Sequence, residues 1–164
     1  MVQKERVLNV TIDAEGIHKI EGFIEEICDD FNIFNSYFGN IMMSVIETAE
    51  NAFISLNKEK AKKFTIKFWS EKNKLNFSVK AREDVFIKEE IELISESKDI
   101  DLEKVSNTSM IIKMLTDDVE IEKNDQIINL IFYISSINQN TSLHREKTLA
   151  EYFDKVLKKI KAHE

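Results

Sequence analysis

The chain has 164 residues and carries 30 Asp and Glu against 23 Lys and Arg, a formal net charge of −7. That balance argues against a nucleic-acid partner, because phosphate binding runs on clustered Lys and Arg, and a hydrophobic content of 43% argues against disorder and supports one domain with its own core. Cys28 is the single cysteine, which excludes an intrachain disulfide; with no leader pattern and no apolar run of membrane-spanning length, a cytoplasmic location off the membrane is expected.

In chain order, Arg6–Ile12 alternates, Leu8, Val10 and Ile12 against Val7, Asn9 and Thr11, and predicts a strand. Asp13 suits an N-cap for the next helix, with Ile17, Ile20, Phe23, Ile24, Ile27 and Phe31 at helical spacing. Cys28 falls on that helix as a packing residue. Residues 32–36 form a short break, with Asn35 or Ser36 capping the following helix. That helix is read from Ile41 through Leu56: Ile41, Met42, Val45, Ile46, Ala49, Ala52, Phe53 and Leu56 share one arc, while Ser44, Glu47, Thr48, Asn51 and Ser55 share another. Small polar groups, rather than Lys and Glu, on the second arc predict a stripe that lines a pocket.

Lys58-Glu59-Lys60-Ala61-Lys62 reads as a polar turn. Phe64, Ile66 and Phe68, then Leu75, Phe77, Val79 and Ala81, alternate as two strands; Glu71–Lys74 forms the hairpin turn, with Asn73 the residue tolerant of a left-handed backbone. Residues 82–104 are charged and irregular, with a short helix over 88–94. A helix over 107–115 and a hairpin of 119–122 with 126–134 follow. Thr141 or Ser142 then caps an amphipathic helix bearing Leu149, Tyr152, Phe153, Val156, Leu157 and Ile160. The order predicts an α+β chain, an α/β sandwich whose mixed, mostly antiparallel sheet carries helices on one face. His18, His144 and His163 are scattered and show no metal-ligand spacing.

Glu47-Thr48-Ala49-Glu50-Asn51-Ala52 resembles the E-x-x-x-N-A core of the N-box in histidine-kinase-like (GHKL, Bergerat-fold) ATPases. The order of elements around it is similar to that of the small anti-sigma-factor serine kinases of bacteria. The resemblance covers roughly Arg6 to Ser135 and takes in Leu115-Thr116-Asp117-Asp118-Val119-Glu120-Ile121, where the family commonly runs a helix end into a D-E-V strand start. It implies a Bergerat-type ATPase domain over residues 1–138 and a C-terminal amphipathic helix extension over 139–164. Glu47 would be the general base and Asn51 the Mg²⁺ ligand, with Asn51, Asp84, Ser106 and Thr108 at the nucleotide.

The glycines that build a phosphate cradle are missing: there are three in all, Gly16, Gly22 and Gly39, and none beyond. The Asp of the family's D-x-G-x-G falls on Ala81 and its glycines on Glu83 and Val85, unless a slip recruits Asp84. The lid glycines fall on Ser106 and Thr108, the last hairpin's glycine on Asp125 or a neighbour, and the N-box continuation on Ser55 and Leu56. Arg82 and Lys104 are the candidate compensating phosphate clamps. Losing the charged bond to adenine alone costs about 1.5–3 kcal/mol. The expected function is a regulatory protein-binding domain resembling anti-sigma factors, with lost or weakened ATP binding, no cofactor and no enzymatic activity. Its partner by resemblance is a sigma factor or an anti-sigma antagonist. One alternative is an active Mg-ATP-dependent serine protein kinase acting on such an antagonist. Another is an oligomerisation module, a homodimer through the C-terminal helix.

Overall fold

Alternation along β1 (Val2–Thr11), β3 (Lys63–Glu71), β4 (Lys74–Ala81), β6 (Asp118–Glu122) and β7 (Ile127–Tyr133) builds one five-stranded sheet in the order β1-β3-β4-β7-β6. The mostly antiparallel sheet expected from sequence is found, and every ladder in it among the described residues is antiparallel. The computed structural model describes residues 2–33, 35–82, 84–92, 106–133 and 148–158. The remaining elements are α1 (Ala14–Asp30), α2 (Asn35–Asn51), β2 (Phe53–Ser55), β5 (Val85–Ile87), α3 (Glu89–Glu92) and α4 (Asn107–Leu115). A last helical stretch, α5, runs over 148–158. The expected caps Thr141 and Ser142, with Lys104, His144 and His163, lie outside the described residues.

Helices α1 and α2 cover one face of the sheet because period two sends every second side chain there. Phe64, Ile66 and Phe68 of β3 and Leu75, Phe77 and Val79 of β4 are all buried on it. A row of rings links helices and strands: Tyr37 of α2 to Phe132 (6.0 Å), Phe132 to Phe77 (5.9 Å), Phe77 to Phe68 (5.1 Å) and Phe68 to Phe31 at the end of α1 (5.3 Å). Tilted and edge-on pairs at these spacings add to the area they bury. The Tyr37 hydroxyl donates to Asp117 Oδ2 at 3.0 Å, and the Tyr133 amide donates to the same oxygen at 2.7 Å, which fixes the start of α2 against the β6–β7 end of the sheet.

Asp13 caps α1 as its sequence position predicts, accepting from the Gly16 amide at 2.7 Å. Asn32, at φ 53°, takes the left-handed turn that ends the helix. Cys28 is buried, and burial, with Asp29 beside it, pushes its thiol up to about 12 from 9.0. Native protein is therefore expected to resist thiol reagents at pH 8 and to label at once when unfolded, read by mass spectrometry. The sign for stability follows: the Cys28 contribution is full below the unfolded value of 9.0 and is lost as pH climbs towards about 12.

Three local expectations are corrected. Helix α2 ends at Asn51 rather than continuing to Leu56, and Phe53–Ser55 leaves it as β2, paired with β5. A short apolar run satisfies helix and strand periods alike, so Phe53 and Leu56 did not discriminate. Asn35 and Ser36 lie inside the first turn of α2 rather than before it. In the β3–β4 hairpin the left-handed residue is Lys72 (φ 34°), not Asn73, because a two-residue loop with positive φ at its first position matches the strand twist. In the β6–β7 turn the left-handed residue is Gln126 (φ 55°), the neighbour of Asp125.

Candidate functional site

The last two turns of α2 face the first turn of α4, and this junction holds the residues that carry the family resemblance. Glu47 Oε1 accepts from Asn51 Nδ2 at 3.1 Å, one turn along its own helix. The same oxygen accepts from Thr108 Oγ1 of α4 at 2.9 Å. Ser106 is the N-cap of α4; its Oγ accepts from the Ser109 amide at 3.1 Å and lies 3.0 Å from Ser109 Oγ. The first turn of α4 thus satisfies an orphan amide with its own side chain.

The polar stripe of α2 opens on a cleft at one end, at Asn51, while its middle is covered. Ser44 and Thr48 are buried, and their hydroxyls donate back to Ile41 O (3.0 Å) and Ser44 O (2.7 Å) within the helix. Satisfied in this way, small hydroxyl side chains can be buried, and α4 packs on α2. Ser55 belongs to β2 and sits apart from the stripe.

Asp84 is not at this junction. It stands exposed in the β4–β5 turn at φ 66°, a left-handed position that Asp tolerates better than most residues, and its carbonyl accepts from the Leu56 amide at 2.8 Å. It borders a cleft shared with Lys60, Lys63, Lys80 and Arg82; Asn51 borders the adjoining cleft, which shares Ser55, Lys60 and Ala61 with it. Of the residues singled out, Glu47, Asn51 and Thr108 meet, Ser106 starts the same helix as Thr108, and Asp84 stands elsewhere.

Two participants were missed from sequence. Tyr152, taken as part of an apolar stripe, reaches from α5 to donate its hydroxyl to Asn107 Oδ1 at the start of α4. Burial, and secondly the Glu47 carboxylate, hold that hydroxyl above the ordinary phenol range. The one available signal was a phenol on an amphipathic helix, which seeks a polar partner when covered. Gln126 is the second. Its Oε1 accepts from the Ile87 amide at 2.7 Å, its Nε2 donates to Lys123 O at 2.7 Å, and its carbonyl accepts from the Ala81 amide at 3.0 Å. It ties β5 and the end of β4 to the last hairpin, and glutamine carries no turn signature by which to find it.

The donor set suits Mg-ATP poorly. Glu47 Oε1 and the Asn51 amide nitrogen are engaged with each other, and Thr108 of α4 closes on the same oxygen. Among the described residues no cluster of three or more His, Cys, Asp or Glu is placed to hold a metal ion. His18 is exposed on α1, 3.6 Å from Glu21. No helix among the described residues is long and apolar enough to cross a membrane. Comparison of the chain with protein-family models and with curated proteins returns no match.

Proposed function

We propose that this chain is a degenerate relative of the Bergerat-fold anti-sigma kinases, acting in the cytoplasm as a regulatory domain that binds a sigma factor or an anti-sigma antagonist. The observation that carries this reading is the engagement of Glu47 by both Thr108 and Asn51. Side chains that a kinase would hold ready for nucleotide and substrate are here committed to each other, with Tyr152 on the adjoining Asn107. The hydrophobic pattern of sheet and helices is kept while the glycines are gone, and a binding domain needs only the former.

The test is gel filtration of the purified protein mixed with each sigma factor and each small anti-sigma antagonist of its host. The expected result is a stable complex that forms equally with and without Mg-ATP and leaves no phosphoserine. A complex that requires Mg-ATP, or an antagonist phosphorylated by the wild type but not by Glu47→Gln, would establish the kinase instead.

A second reading, self-association, is favoured by α5, where Phe153 and Leu157 lie one turn apart and are 43% and 55% exposed. Sedimentation analysis is then expected to show a dimer that Phe153→Glu with Leu157→Glu converts to monomer. A wild-type monomer at the highest soluble concentration removes this reading.

A further inference from the structure

One end of the molecule reverses the charge of the whole. The chain folds Lys58, Lys60, Lys62 and Lys88 around one open cleft of about 560 Å³. Lys60 also borders a neighbouring cleft of about 800 Å³, with Lys63, Lys80 and Arg82. Ser55, Lys60 and Ala61 line both, so the clefts form one groove along β2. Among the described residues it carries seven cations against two carboxylates, Glu50 and Asp84, in a chain of net charge −7.

These cations have few internal partners. Among the described residues, no ion pair with a carboxylate engages Lys58, Lys60, Lys63, Lys80 or Arg82; the ion pairs of the fold lie elsewhere. Lys62 donates to the Glu50 carbonyl at 2.6 Å. Burial first, and then the neighbouring Lys88, lower its pKa, with the Glu50 charge opposing.

An apolar strip adjoins the groove and enters it at Ile54. Ile54 of β2 and Phe86 of β5 are paired across the strands and both exposed, at 50% and 44%; Leu56, the most exposed large hydrophobic side chain, follows β2 directly. Their neighbours Phe53, Val85 and Ile87 fill the core instead, so this small sheet has one buried and one open face. Ile54 borders the same cleft as Lys58, Lys60 and Lys62.

We infer that the groove along β2 is a docking surface for an acidic protein segment with interspersed apolar side chains, its carboxylates meeting the lysines and Arg82 and its apolar groups covering Ile54, Leu56 and Phe86. Charge complementarity selects the acidic chain, and the apolar strip selects a peptide over a polyphosphate. Glu50 and Asp84 within the groove repel a continuous phosphate backbone, whereas separate carboxylates can be set around them. This deepens the protein-binding reading and rests on it for the class of partner.

The test is fluorescence anisotropy with a short labelled peptide of alternating glutamate and leucine, beside polyglutamate and oligothymidylate of equal charge. The glutamate–leucine peptide is expected to bind at least about tenfold more tightly than either, and to weaken as salt rises. Lys60→Glu with Arg82→Glu, and separately Phe86→Ser, are each expected to weaken it by roughly tenfold. All three positions are exposed, and circular dichroism checks that the variants fold. Equal binding of polyglutamate reduces the groove to a diffuse field and overturns the inference. So does tighter binding of oligothymidylate, which makes it a nucleic-acid surface, or indifference to both variants. If the sigma-factor or antagonist complex survives Lys60→Glu with Arg82→Glu unchanged, the groove assignment fails while the protein-binding reading stands. If the wild type binds the peptide but none of those proteins, the groove stands and that reading fails.

Discussion

Gly16→Ala is expected to destabilise the protein by about 3 kcal/mol or more, lowering the midpoint of thermal unfolding by roughly 6–12 °C. A Cβ at this position would sit 1.7 Å from Thr11 O and 2.9 Å from Thr11 C, both backbone atoms. Neither side can yield cheaply. Asp13 holds the Gly16 amide at 2.7 Å, and the Ile12 amide is anchored to Lys62 O at 2.8 Å. Gly22 and Gly39 give the internal control, since a Cβ at either meets nothing within 4 Å. Alanine at those helical positions is expected to stabilise by up to about 1 kcal/mol each. Urea titrations of the three variants read the opposite signs directly; a neutral Gly16→Ala would mean that the β1–α1 junction is looser than described.

Phe77→Ala is expected to cost about 3–5 kcal/mol, the upper range for emptying a core aromatic site. Phe77 is fully buried at the centre of the ring row, touching Phe68 at 5.1 Å and Phe132 at 5.9 Å. Removing it opens a void between β4 and its neighbours on both sides, and both helices rest on the same row through Phe31 and Tyr37. Val7→Ala on β1, where the side chain is 53% exposed, is expected to change stability by less than about 0.5 kcal/mol. Similar costs at the two positions would contradict the placement of the core.

Much of this scaffold was legible because it follows from local rules. Strict alternation announced β3 and β4, the Glu71–Lys74 turn announced their pairing, and Asp13 stood where an N-cap is needed. What escaped depends on contacts between distant segments. Strands β2 and β5 are three residues each and exist only by pairing with one another. The stripe along α2 is covered at Ser44 and Thr48, whose hydroxyls are satisfied within the helix, and meets a cleft at Asn51 instead, which a wheel projection cannot show. Tyr152 meets Asn107 across 45 residues, and the basic groove gathers side chains from the 58–63 turn, β4 and the end of β5. Read along the chain, those lysines looked like an ordinary polar turn.

The most direct test of the central claim, that the pair Glu47 and Asn51 no longer serves a nucleotide, is calorimetric titration of Mg-ATP and Mg-ADP into the full chain, with Asn51→Ala beside it. The account predicts no binding that depends on Asn51, even at millimolar nucleotide. Micromolar binding that disappears in Asn51→Ala would contradict it and make the protein a kinase whose phosphate site opens when nucleotide arrives.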